Sequence, residues 1–138
     1  MRPGASIDRV DHDALVDLYG RYIGTCNQHR FRELGAFVHD DVGGDVPGLA
    51  AYVAGLEQVV SAFPDYHWEI EHVLVDGDHL AARLTATGTH TGTFRGIEAT
   101  GRRLTTMELA MYRWYDGRIA HCWGDLGSTV RDALVSGD

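Results

Sequence analysis

The chain has 138 residues, the size of one ordinary domain, and its 44% hydrophobic content, 23% charged content and 3 prolines suffice for a buried core and exclude intrinsic disorder. A single domain over 1–138 is expected, with residues 1–7 as a loose tail. The formal net charge is −8 and the 12 basic residues are dispersed, so the basic stripe that binds nucleic acid or an anionic membrane is missing, and neither is an expected partner.

Val10, Leu15, Leu18, Tyr19, Tyr22 and Cys26 recur at three- and four-residue spacing and predict an amphipathic first helix that Asp8 or Asp11 could cap. Phe31, Leu34 and Phe37 or Val38 suggest a second, short helix over 30–38. The run His39 to Gly48 breaks the pattern. Leu49, Tyr52, Val53, Leu56, Val59 and Val60 then restore helical spacing until Pro64 stops it.

From Tyr66 the period changes to two, in HWEIEHVLV and in LAARLTATGTH, with Asp76-Gly77-Asp78 between them. A Gly-rich connection follows over 91–103. Two more alternating runs, MELAMYRWY and RIAHCW, flank Asp116-Gly117, a strong hairpin signal. Ser128 is expected to cap a last helix over 129–135, ended by Gly137. Helices first and an antiparallel sheet second means an α+β fold, with helices against one face of a curved sheet.

A two-residue turn at Asp116-Gly117 makes Tyr112 face His121, Ala110 face Trp123 and Glu108 face Asp125. One hairpin face then carries Glu108, Tyr112, Trp114, Ile119, His121, Trp123 and Asp125, while Leu109, Met111, Tyr115 and Cys122 share the other. Two facing carboxylates beside an imidazole, walled by aromatic rings, are the type of group that shares or holds a proton for general acid/base work. The plainer alternative is a fraying, solvated strand end. His90 is expected at the cavity rim, and Trp68, Ile70 and His72 on the same inner side. Tyr19 and Tyr22 lie on the buried stripe of the first helix, where a tyrosine is more often core than catalytic. His67, Glu69 and Glu71 could form a surface metal site, but an exposed strand face is polar anyway.

All 12 basic residues are arginines, so lysine chemistry such as Schiff-base formation or pyridoxal-phosphate attachment is excluded. Cys26 and Cys122 match no CxxC pattern, and a reducing cytoplasm fits them best. The stretch MRPGASIDRVDHDA offers no signal-peptide core and no run approaches a bilayer span, so the expectation is a cytoplasmic protein. No serine sits in a GxSxG elbow, HExxH, Walker and GxGxxG patterns are absent, and no metal, nucleotide or flavin cofactor is called for.

The run GTHTGTFRGIEATGRR, residues 88–103, preceded by FPDYHWEIEHVLVDGD and followed by YRWYDGRIAHCWGD, resembles the SnoaL-like polyketide cyclases of the nuclear-transport-factor-2-like superfamily. The likeness covers residues 10–127. It implies a cone of three N-terminal helices on a curved mixed or antiparallel sheet, usually as a homodimer joined through the outer sheet face. It also implies cofactor-free catalysis, in which a carboxylate takes an acidic α-proton and the enolate closes a ring by aldol attack on a polyketide-like small-molecule substrate. By resemblance the base is Asp125, with His121 assisting and Glu108 sharing the proton. Tyr19, Tyr22, Trp68, His90, Tyr112 and Trp123, which the spacing places on the inner side or the rim, are the expected substrate contacts. This chain departs from relatives that read Glu-His-Trp where it has His121-Cys122-Trp123. Epoxide hydrolysis or hydration ranks second because no arginine lies on the inner hairpin face, and a non-catalytic small-molecule binding module is a third possibility.

Overall fold

The computed structural model describes the backbone of residues 5–136 and the side chains from residue 12 onward. Helix α1 spans Ala5–Asn27. It includes residues 5–7 of the expected tail, and it places Asp8 and Asp11 inside the helix rather than at its start; residues 1–4 and the side chain of Val10 lie outside the described part. Tyr19, Tyr22, Ile23 and Cys26 are its buried stripe, as the three- and four-residue spacing requires. The short helix that follows is 3-10 (Phe31–Ala36), with Phe31 and Leu34 buried, and α2 covers Leu49–Ala62 with Tyr52 and Val59 inward.

Between them the segment expected as a break is a strand, β1 (Val38–Gly44). Only Val38 and Val42 of VHDDVGG are fully buried, with the exposed Asp40 between them interrupting the alternation, and β1 is an edge strand paired in parallel with β5 alone, its register shifting between Val38 and Gly43. An irregular edge strand with two buried positions leaves too short a two-residue period to be read in the sequence.

Strands β2 (His67–Asp76), β3 (His79–Thr89), β4 (Arg103–Tyr115) and β5 (Arg118–Trp123) form an antiparallel meander, and the full order is β1-β5-β4-β3-β2. The alternation of β3 is clean, with Leu80, Ala82, Leu84 and Ala86 buried against the helices. β2 is bulged between Ile70 and His72, so Val73 and Val75 pair with the inward Ala82 and Leu80, while His72 pairs with the outward Arg83. His72 thus leaves the inner side on which alternation had put it.

Asp116 and Gly117 both have positive φ, 52° and 80°, as a type I′ hairpin turn demands, and Tyr115 pairs with Arg118 and Trp114 with Ile119 as expected. The register then slips by one. Arg113 pairs with His121, Tyr112 with Cys122 and Met111 with Trp123, leaving Ala120 as the extra residue. A slip of one residue moves every later side chain to the opposite face. Cys122 is inward, and His121 and Trp123 are outward.

Helix α3 (Leu126–Val135) begins three residues before the expected start because its N-cap is Asp125, not Ser128. Gly137 lies outside the described residues. The outer strand β1 approaches β5 closely at Gly44, whose φ of 116° and lack of a side chain are both required: a Cβ there would overlap the Cys122 carbonyl. Gly44→Ala is expected to lower unfolding free energy by more than ~2 kcal/mol in urea denaturation, whereas Gly55→Ala, on an open helical face, should be neutral or stabilising.

Candidate active site

A cavity of about 340 Å³ opens between the helices and the inner sheet face. α1 contributes Tyr22, Ile23 and Cys26, α2 contributes Tyr52 and its neighbours, the sheet contributes Trp68, Leu84, Glu108, Tyr112 and Cys122, and α3 closes one side from Leu126 to Thr129. Most of this wall is apolar, the usual make-up of a small-molecule site.

Glu108 is the carboxylate that β4 directs into this space, because it shares the inner face with Tyr112 and Trp114 and pairs with buried Leu84. The Tyr66 hydroxyl donates to its Oε2 at 3.4 Å, and the Trp68 indole N–H also donates to it. Both donors are held by the local fold. Gly88 on β3 gives the Tyr66 ring its room, since a Cβ there would lie 2.8 Å from the ring, and the Asn27 amide clamps the Trp68 backbone by accepting from its N–H at 2.8 Å and donating to its C=O at 2.9 Å. Two donors do not replace the water that burial removes. Desolvation therefore dominates and pushes the Glu108 carboxyl up to about 7. It titrates near neutrality, where a carboxylate serves best as a base.

Facing Glu108 is a set of buried phenols and thiols. Tyr22 and Tyr52 hydroxyls meet at 2.5 Å, and Tyr52 donates onward to Cys122 Sγ at 3.9 Å. Tyr19 and Tyr112 hydroxyls meet at 3.1 Å. Burial holds all four phenols protonated and pushes both thiols up to about 12, so they are neutral donors rather than nucleophiles. Nothing in the local sequence marks Tyr52 or Cys122 as a cavity residue. Tyr52 looked like ordinary helix core, and the bulge that turns Cys122 inward leaves no mark on composition.

The candidate residues of the sequence separate into those that meet here and those that do not. Glu108, Asp125, Tyr22, Trp68 and Tyr112 line the cavity. Asp125 does not face Glu108 across the hairpin, since β5 ends at Trp123 opposite Met111; its oxygens accept from the Ser128 N–H at 3.3 Å and the Ser128 hydroxyl at 2.8 Å. His121 lies on the outer face against Gly43, with its ring 4.1 Å from that of Trp123, which in turn stacks on His79. Tyr19 is buried behind the wall. His90 is fully buried rather than at the rim: it stacks on Phe63, its Nδ1 accepts from the Thr100 N–H at 3.2 Å, and its Nε2 has no partner. An arginine does reach the cavity, Arg95 from the connection between β3 and β4, though none lies on the hairpin face itself. Among the described residues no group of three or more His, Cys, Asp or Glu side chains has metal-holding geometry, and no helix is long and apolar enough to cross a membrane.

The family model of the SnoaL-like polyketide cyclases matches residues 16–126. The chain belongs to the SnoaL-like polyketide cyclase family. Among solved structures, a SnoaL-like polyketide cyclase from Agrobacterium tumefaciens strain C58 is 31% identical, with 87% of this chain and 97% of that one covered and a TM-score of 0.73. TsrD from Streptomyces laurentii shares the fold at 23% identity, with coverage of 88% and 95% and a TM-score of 0.77. IdmH from Streptomyces antibioticus does so at 24% identity, with coverage of 87% and 97% and a TM-score of 0.72. No curated protein matches the chain. Membership supports a cyclase-type role for a small-molecule cavity, and the helices on a mixed five-stranded sheet are the α+β arrangement that the sequence resemblance implied.

The raised Glu108 affinity has a thermodynamic consequence. The unfolded chain releases this proton near 4.5 and the folded chain near 7, so stability from this group is complete below about 4.5 and is lost as pH rises to about 7. Glu108→Gln should therefore gain thermal stability relative to wild type across that interval and hold a constant advantage above it. Tyr66→Phe, which removes a donor to the carboxylate, should move the Glu108 titration in carbon-detected NMR upward from 7.

Proposed function

We propose that this SnoaL-like protein is a cofactor-free cyclase or isomerase of secondary metabolism, acting on an apolar, carbonyl-bearing, polyketide-like intermediate with Glu108 as the acid/base group. The observation that carries this reading is one half-buried carboxylate, raised to about 7, among apolar and phenolic walls. Ionised Glu108 takes a proton from the carbon beside a carbonyl. The enolate carbon then attacks a second carbonyl carbon of the same molecule, a C–C bond forms, and the resulting alkoxide takes the proton back from Glu108. The Tyr22–Tyr52 pair supplies the donor for the developing oxyanion. Tyr52 spends its hydrogen on a weak acceptor, the thiol sulfur of Cys122, and a carbonyl oxygen would outcompete it.

Asp125, to which the family resemblance assigns the base, has its oxygens engaged by Ser128 at the α3 cap, and His121 faces away, so the role falls to Glu108. Hydrolysis of an epoxide gains one observation, the entry of Arg95 into the cavity. Yet Arg95 has no ion pair with Glu108 or Asp125 among the described residues, and a bonded carboxylate–arginine pair to activate water is not assembled.

With a β-diketone or keto-ester probe, solvent deuterium exchange at the acidic carbon should rise with pH through a limb near 7. Glu108→Gln should reduce it at least ~100-fold, the usual contribution of a positioned base. Asp125→Asn, which keeps a capping oxygen, should retain most of it. The reverse pattern would return the base to Asp125 and overturn the assignment.

A homodimer joined through the outer sheet face is also proposed. Leu74 and Leu109 are 66% and 69% exposed there, on the same sheet face as the exposed Met107 and Met111, and a second copy covering this face would remove these apolar side chains from water. Light scattering should give a dimer at micromolar concentration, and Leu74→Glu with Met107→Glu should give a folded monomer.

A further inference from the structure

Arg95 is an arginine placed against the interest of the fold. Its backbone is left-handed, with φ 48°, and its side chain extends from the β3–β4 connection to the first turn of α3. Gly127 makes the approach possible, because a Cβ at that position would overlap the guanidinium. A cation beside a helix N-terminus opposes the helix dipole, so this contact does not stabilise α3. Beyond this packing against Gly127, the interaction Arg95 makes among the described residues is with the Phe94 ring, 5.5 Å from its centroid. The chain has 20 acidic residues, and the neighbouring Asp125 carboxylate is turned to Ser128 instead. The guanidinium is left exposed on the cavity wall, and among the described residues it is the one basic side chain that lines it.

We propose that Arg95 anchors a carboxylate of the substrate at the cavity mouth, while the ketone-bearing part of the same molecule reaches Glu108. This rests on the cyclase reading of the cavity. The planar fork of a guanidinium matches a carboxylate through two parallel N–H donors. One cation with no second basic side chain in the wall among the described residues suits a monoanion better than a doubly charged phosphate. The cavity therefore selects a free keto acid over its ester or its thioester, both of which are neutral at that end. In a reaction sequence this places ring closure after the step that frees the acid by hydrolysis.

The probes are 4-(2-naphthyl)-4-oxobutanoate and its methyl ester, compared by isothermal titration calorimetry on the full chain. The acid is expected to bind roughly tenfold more tightly than the ester, the size of a partly screened charged hydrogen-bond pair. Arg95→Gln should bring the acid down to the ester's affinity and leave the ester unchanged, and Arg95→Lys should keep part of the preference. Equal affinities in the wild type, no binding of either probe at millimolar concentration, or equal weakening of both by Arg95→Gln would overturn the anchor. Deuterium exchange beside the probe ketone separates this from the cyclase reading. An acid preference that persists in Glu108→Gln supports the anchor whatever the exchange does. Absent exchange in the wild type with the preference intact would count against Glu108 as base and leave Arg95 in place.

Discussion

The register of β5 against β4 is the constraint on which the site depends. Trp114 pairs with Ile119 and Arg113 with His121, so one residue, Ala120, is accommodated as a bulge halfway along a six-residue strand. Without it, an imidazole and an indole would project into the cavity beside Glu108, and the thiol of Cys122 would face out. With it, the wall opposite Tyr112 is a small, weakly polar sulfur, and His121 and Trp123 join His79 in a stack on the outer face. The chemistry available to the cavity is therefore decided by one unpaired residue in a strand that is not itself a ligand-bearing loop.

The same slip isolates Glu108. In a strictly alternating hairpin Glu108 and Asp125 would sit opposite one another and their repulsion would raise one of the two proton affinities. In the fold as it is, β5 has ended before that point, and Asp125 turns to cap α3 through Ser128. The high proton affinity of Glu108 then comes from desolvation first, with the hydrogen bonds from Tyr66 and Trp68 working in the opposite direction. Those two donors orient the carboxylate without compensating its lost hydration. The neutral phenols and thiols around it keep the wall polar enough to recognise a carbonyl oxygen while adding no charge that would return the carboxyl to its ordinary range.

Much of the architecture is legible in the sequence because it depends on local period. The stripe Tyr19, Tyr22 and Cys26 at helical spacing, the apolar rows of α2 and β3, and the Asp-Gly turn are each produced by a residue meeting the core or by a backbone angle that only certain residues tolerate. β1 was illegible for the complementary reason. VHDDVGG has two acids and two glycines, and its strand conformation comes from pairing along one edge with β5, a partner about 80 residues away in the chain. The α3 cap is ambiguous in the sequence because both Asp125 and Ser128 are good capping residues, and the choice between them depends on where β5 stops.

By itself, then, the sequence determined the fold class, the order of the helices and the meander, the family and the presence of an acidic group on an apolar strand face, because those follow from periodicities and turn chemistry that operate over a few residues. Tertiary structure alone decided which acidic group is desolvated, which side of β5 faces the cavity, that Tyr22 and Tyr52 from different helices share a hydrogen bond, and that Arg95 reaches the wall past Gly127. Each of these depends on long-range register and close approach. A bulge or a missing Cβ changes them by a whole side chain, while the local pattern that announces a strand or a helix stays the same.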